Sequence, residues 1–182
     1  MKAFLWSLFE VVETIAIAVV AVVLVRAFVA QPFLVSGTSM EPGFENGDYL
    51  LVDEVAYRFR QPARGEVMVF KYPLDPRSYY IKRVIGLPGE RVVIDGKEVT
   101  VYGKDGTTQV LKEPYVARMM NADKSEYTVK DGEYFVMGDN RDFSYDSRRW
   151  GPLPQSDIIG LVRFRLWPID KAMAFGAYAY QK

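Results

Sequence analysis

The uncharged run Thr14–Val25 (TIAIAVVAVVLV) constrains this chain more than any other feature, because apolar side chains extend it outward to Leu5 and Ala30 before Gln31-Pro32 closes it. A membrane span needs about 17–25 mostly apolar residues. Residues 5–30 reach that length only with Glu10, Glu13 and Arg26 near the interfaces, where Arg26 can snorkel, and Pro32 stops the helix. A buried core helix and a cleavable secretory segment, with Val25 and Ala27 as its small-residue site, are the competing readings; a retained anchor is the expectation. Its orientation is not written in charge, because Lys2 and the amino terminus are offset by Glu10 and Glu13.

After Pro32 the pattern turns extended. Asp48–Val55, Val67–Tyr72 and Tyr79–Leu87 are rich in β-branched and aromatic residues and bounded by Gly or Pro. Arg91–Ile94 and Lys97–Val101 flank Asp95-Gly96, a short-range hairpin signal, and Glu133–Met137 is a further strand. In Leu161–Leu166 the alternation puts Val162, Phe164 and Leu166 on one face and Arg163 and Arg165 on the other. Gly103–Lys130 is polar and less periodic, a loop-rich insertion or a small subdomain. The expected class is an all-β domain on a helical tether.

Composition then narrows the chemistry. Lys and Arg (23) balance Asp and Glu (23), so no basic face for nucleic acid is expected. The chain has no cysteine and no histidine. Thiol catalysis, a Ser-His-Asp triad and a zincin helix are therefore impossible. What remains is Ser or Thr with a lysine base, a carboxylate pair, or a hard-metal site built from oxygens.

Three segments carry chemical information. Ser36-Gly37-Thr38-Ser39-Met40-Glu41-Pro42 reads first as a turn, but small residues around a serine also let backbone N–H groups face a substrate oxygen. In Tyr80–Glu90, strand alternation puts Tyr80, Lys82 and Val84 on one face and Ile81, Arg83 and Ile85 on the other. Lys82 either faces water on an edge strand or is buried, where desolvation yields a neutral amine able to take a hydroxyl proton. Gly138–Pro152 (GDNRDFSYDSRRWGP) fits a calcium loop poorly, since Arg141 occupies its third position and no Gly stands at its sixth. Acids interleaved with arginines point instead to an internally bonded loop that props a site.

In this order, with Arg64–Phe70 (RGEVMVF) between them, these segments resemble the bacterial type I signal peptidases (leader peptidases), in the single-span form typical of Gram-positive bacteria. The resemblance covers nearly the whole chain. It implies a mainly β fold: an antiparallel sheet or partial barrel of the signal peptidase/LexA-like type, with one N-terminal transmembrane helix. Residues 1–30 would be the anchor and 31–182 an extracytoplasmic catalytic domain, with about 103–130 as the insertion. Ser39 matches the nucleophile and Lys82 the general base. Ser144 matches the serine that orients the lysine, and Asp142, Asp146 and Arg148 the supporting polar residues, with Asp139 and Asn140 opening the motif. Met40 and Pro42 shape the nucleophile turn. Gly37 stands where some relatives place an oxyanion-assisting serine, which leaves Ser36 or Thr38 as the second donor beside the Ser39 N–H. Phe143 replaces a residue that is polar in many relatives.

The implied activity is removal of signal peptides from exported preproteins by a Ser-Lys dyad. No metal or organic cofactor is required. The implied partners are preproteins and the lipid bilayer, with no nucleic acid, and the implied form is a single-pass monomer in the bacterial cell membrane. Phe33, Leu34 and Phe44 are expected at the lipid interface. A self-cleaving LexA-type repressor would carry a helix-turn-helix where this chain has residues 5–30. A penicillin-binding reading fails because no serine has lysine three positions later. The non-enzymatic alternative is a tethered β-domain that binds exported peptides.

Overall fold

The computed structural model describes residues 2–28, 30–116 and 122–180, and within the first helix it describes the side chains of residues 6, 7 and 9–22. That helix, α1, runs Lys2–Phe28, and its described side chains are all exposed. Val25, Arg26 and Ala27, expected at an interface or a cleavage site, lie outside the described side chains. Among the described residues no helix is long and apolar enough to cross a membrane. The helix also ends earlier than Gln31-Pro32 implies. Ala30 already belongs to strand β1 (Ala30–Leu34), where it pairs with Asp53. Pro32 is accommodated there because β1 is an edge strand.

The remaining elements are β2 (Tyr49–Asp53), a single helical turn α2 (Ala56–Phe59), β3 (Val67–Tyr72), β4 (Asp75–Gly86), β5 (Arg91–Gly96), β6 (Glu98–Tyr102), β7 (Thr108–Val110), β8 (Ala122–Thr128), β9 (Glu133–Met137), α3 (Ser147–Trp150), β10 (Leu153–Pro154), β11 (Ile158–Trp167) and β12 (Met173–Ala174). They form two antiparallel sheets. One has the order β1-β2-β11-β3-β4-β9-β10, with β12 on β11, and the other β7-β6-β5-β8.

The second sheet draws on 103–130, for which a loop-rich insertion and a small subdomain both stood open. That segment contributes β7 and β8, which flank the β5–β6 hairpin. The polar look of β8 (ADKSEYT) reflects an edge strand with no fully buried residue. The hairpin loop is also displaced by one residue. Asp95 pairs with Glu98, which leaves Gly96-Lys97 as the loop, with glycine in the first position that type II′ turns favour.

β3 shows why the large sheet holds together. Met68 and Phe70 pack with Val84, Tyr134, Val136 and Leu153 on one face, while Val67 and Val69 pack with Met40, Phe44, Leu50 and Val162 on the other. Both faces of this central strand are thus dry. A third cluster joins the sheets, with Ile85 and Phe135 packed on Val92, Ile94, Val99 and Val101.

β11 departs from its predicted alternation. Register shifts fall between Val162 and Phe164 and between Arg165 and Trp167, and each bulge re-aims the side chains beyond it. Val162 is buried, but Phe164 and Leu166 are exposed and Arg165 turns inward. There Arg165 Nε lies 2.9 Å from an Asp48 carboxylate oxygen, with its guanidinium beside the rings of Phe44 and Phe175.

Candidate active site

The chain leaves β1 extended and turns sharply at Gly37, whose φ of 103° strains any residue with a Cβ. The Gly37 N–H donates to Asn46 Oδ1 at 2.9 Å. This conformation accounts for glycine at a position where a serine would be strained. Past the bend, Met40 and Phe44 are each 1% exposed and joined by a 2.9 Å bond from the Phe44 N–H to the Met40 carbonyl. They pin the turn into the core and leave Ser39 between them and the solvent-facing Ser36 and Thr38. Phe44 is therefore not an interfacial residue; its ring lies 4.5 Å from that of Phe175. Leu34 is exposed, and Phe33 is half-buried against Tyr79 at 5.6 Å.

Lys82 reaches this turn from β4. Its Nζ donates to Ser39 Oγ at 2.7 Å and to the Ile81 carbonyl at 2.9 Å, and it lies 5.5 Å from the Tyr80 ring centre. The residue is 4% exposed. Burial lowers its pKa from 10.5 to about 8; Asp146 and Asp139 oppose the drop, and Arg148 assists it. Near neutral pH a useful fraction is thus a free amine. With the proton removed, the same 2.7 Å separation lets the serine hydroxyl donate to the amine lone pair.

The 138–148 loop braces both groups. Asp146 is fully buried and receives Arg148 Nε and Nη2, each at 2.8 Å, and the Gly138 N–H at 3.0 Å. Burial alone would raise the Asp146 carboxyl, but the guanidinium and the N–H bond outweigh it and hold its pKa low. Arg148 also donates to the Arg141 carbonyl at 2.7 Å, tying the loop ends together. Asp142 sits half-buried in the 3₁₀ turn at 141–143.

The Ser144 hydroxyl is buried and makes no hydrogen bond to Lys82 among the described residues; it lies instead by the Asp146 carboxylate and helps hold that group's pKa low. The hydroxyl packs so closely on Gly138, with the Ser39 carbonyl, that a Cβ at 138 would collide with both.

Three residues carry more of the architecture than the sequence reading assigned them. Asn140 clamps the nucleophile turn, its N–H donating to the Ser39 carbonyl at 3.1 Å and its side-chain amide to the Thr38 carbonyl at 3.0 Å. Arg83 points away from Lys82 and grips buried Asp139 through two bonds of 2.8 and 2.6 Å. Glu113, from the segment read as an insertion, receives both Nη atoms of buried Arg141. The alternation of β4 gave the opposite faces of Lys82 and Arg83, but no sequence signal linked Arg83 to a residue 56 positions away.

Ser39 and Lys82 line a cavity of about 540 Å³. One wall is the end of β1 with Val35–Thr38; the other is Ser78–Ile81 of β4, with Phe143 and Tyr145 beside it. Among the described residues both walls have free strand edges: β1 pairs only with β2, and β9 covers β4 only over Arg83–Gly86, leaving 75–82 paired on one side alone. Nothing among the described residues accepts from the Ser39 N–H.

A groove between two strand edges with a serine at its end has the form of a site for an extended peptide, the substrate form of a peptidase. Residues 8–167 match the family described as signal peptidase, peptidase S26, and the chain belongs to that family. A probable signal peptidase I-1 from a Synechocystis species is 39% identical over 178 residues, covering 94% of this chain and 88% of its own. The signal peptidase I of Bacillus licheniformis is 35% identical over 171 residues, covering 91% of each chain. A solved signal peptidase I from Enterococcus faecalis V583 matches 56% of this chain and 97% of its own, at 29% identity and a TM-score of 0.48.

Proposed function

We propose that this protein is a membrane-tethered serine endopeptidase that removes signal peptides from exported preproteins through a Ser39–Lys82 dyad, acting as a monomer. The observation that carries this reading is the 2.7 Å approach of a buried, pKa-lowered lysine to a serine hydroxyl at the end of an open groove.

Neutral Lys82 takes the Ser39 proton as the oxygen attacks the scissile carbonyl. The Ser39 N–H, which has no acceptor among the described residues, is the donor assigned to the developing oxyanion, a contact worth about 2.7–4 kcal/mol per donor. The lysine then gives its proton to the leaving amine and activates water to release the acyl group. Asp146, Arg148 and Asn140 keep the loop and the turn in register, and Ser144, beside Gly138, is the residue proposed to orient the lysine. Ser36 and Thr38 both remain candidates for the second oxyanion donor.

A substrate strand between β1 and the 75–82 edge would alternate its side chains between the cavity floor and solvent. Such a strand directs every second side chain at the same wall, so selection at alternate positions before the cut, for side chains small enough to fit, is the expected specificity. The tether reading draws on α1. Its described residues are exposed, and the Glu10 carboxylate accepts from the Trp6 indole at 2.9 Å, an arrangement suited to a headgroup layer. The catalytic domain then lies on the extracytoplasmic side of a bacterial cell membrane, where preproteins emerge.

The test is incubation of the purified protein with a preprotein carrying its signal peptide. Cleavage is expected, and Ser39→Ala or Lys82→Ala should abolish it with the fold intact. Capture of the preprotein without cleavage would favour the peptide-binding alternative, and normal processing by either variant would end the dyad reading.

A further inference from the structure

The family match ends at residue 167, yet the chain continues as an ordered segment that returns to the catalytic domain. The Phe175 N–H donates to the Arg163 carbonyl at 2.7 Å, and the Tyr178 N–H to the Gly65 carbonyl at 3.2 Å. That same Gly65 oxygen receives Arg83 Nη1 at 2.9 Å, the arginine that holds Asp139. Further along, the Tyr180 hydroxyl hydrogen-bonds the Tyr115 hydroxyl. Tyr115 donates onward to Glu113 at 2.7 Å and lays its ring over the Arg83 guanidinium at 4.1 Å.

These contacts converge on one stretch of backbone. Glu113 holds Arg141, and Arg141 Nε donates to the Gly138 carbonyl at 3.1 Å. Arg83 holds the Asp139 carboxylate from the other side. Asn140, next in the chain, is the residue that clamps the Thr38 and Ser39 carbonyls. The rings of Tyr115, Tyr178 and Tyr180 pack mutually edge-on, with centres 5.0–6.4 Å apart, and close over both ion pairs. The acids and arginines beneath are nearly dry: side-chain exposure is 1% for Asp139 and Arg141, 8% for Glu113 and 10% for Arg83.

We propose that residues 175–180 form a strap that positions the nucleophile, with Tyr180 as its principal positioning residue. Among the described residues Tyr178 and Tyr180 hydrogen-bond neither Ser39 nor Lys82, while Phe175 packs on Phe44 behind the nucleophile turn. The strap acts by keeping the Gly138–Asn140 backbone bonded from both sides in a water-poor setting, where hydrogen bonds polarise one another and hold geometry. With the strap gone, water reaches the Arg83–Asp139 and Arg141–Glu113 pairs, the 138–140 backbone loosens, and Ser39 drifts from Lys82. A merely structural tail would set how much protein is folded. A positioning strap sets how well each folded molecule turns over.

The proposal rests on the Ser39–Lys82 reading, and its test keeps the two apart. Full-length Tyr180→Ala, Tyr180→Phe and Tyr178→Pro are assayed on a purified preprotein, with Ser39→Ala alongside and thermal melts on all four. Tyr180→Ala should lower kcat by about ten- to a hundredfold, the scale of a displaced reacting group, with KM within about twofold. Its acid limb should move to higher pH, because water entering the site relieves the burial that keeps Lys82 neutral. Tyr180→Phe, which keeps the ring and loses the donor, should fall between Tyr180→Ala and the parent, and Tyr178→Pro should repeat the kcat loss.

An unchanged kcat and pH profile in folded Tyr180→Ala would overturn the strap, as would activity that falls only with the folded fraction while the profile stays put. If Tyr180→Ala does not fold, a parental kcat in Tyr180→Phe overturns it instead. Cleavage by Ser39→Ala would remove the reading beneath. An inactive Ser39→Ala beside a fully active Tyr180→Ala would remove the strap alone.

Discussion

Replacing Lys82 by methionine should abolish turnover and, at neutral pH, make the protein more stable. In the folded chain burial lowers the Lys82 pKa to about 8, while the unfolded chain keeps the ordinary 10.5. Between those values the unfolded state holds more proton than the folded one, so raising the pH favours folding. Below pH 8 the buried ammonium costs the fold about 3 kcal/mol, from the gap between 10.5 and 8. Methionine has a similar length and no charge, so Lys82→Met removes that cost. It also removes the bonds to Ser39 and to the Ile81 carbonyl, each worth about 1 kcal/mol. The net gain at pH 7 is about 1–2 kcal/mol, or about 2–8 °C in Tm for a chain of this size.

The diagnostic quantity is its pH dependence. Between about pH 8 and pH 10.5 the parent sheds its penalty, so the advantage of Lys82→Met should vanish and then reverse by the two lost bonds. Thermal melts of both proteins across that range, compared as a difference, cancel the titration of every other group. A difference that stays constant from neutral to alkaline pH, or a variant less stable than the parent at pH 7, would refute a desolvated lysine.

Two further outcomes follow from the same geometry. The acid limb of kcat/KM on a preprotein should have its midpoint near pH 8 and fall about tenfold per pH unit below it, since about one Lys82 in ten is neutral at pH 7 against about one in three thousand for an ordinary lysine; a flat profile down to pH 6 would contradict a lysine base. Asn140→Ala removes the exposed amide bond to the Thr38 carbonyl but keeps the backbone bond to Ser39. It should cost about 1 kcal/mol or less in a melt yet lower kcat by about tenfold, and an unaltered kcat would show the clamp to be dispensable.

The strands were legible where local pattern and tertiary burial agree. Val67–Tyr72 and Glu133–Met137 form at the predicted residues because both are dense in β-branched or aromatic side chains and both end up buried. Alternation failed in β11 because a bulge is set by the neighbouring strands: Arg165 turns inward only because Asp48 waits there, and nothing near residue 165 announces it. β8 carried little strand signal because an edge strand of a small sheet buries none of its residues fully, with Ala122 and Tyr127 alone packed on the core.

In the candidate site, Ser39 and Lys82 read singly as a turn serine and a strand lysine, and only the order of their motifs along the chain, through its resemblance to a known family, marked them out. Their supports carry no such mark. Arg83, Glu113, Tyr115 and Tyr180 read singly as ordinary surface or core residues, and they gain meaning only as partners of Asp139, Arg141 and one another across gaps of 28 to 65 positions. What holds Ser39 and Lys82 at 2.7 Å is therefore written over residues from Gly65 to Tyr180. Substitutions far from Ser39 and Lys82 should accordingly change turnover without touching either residue.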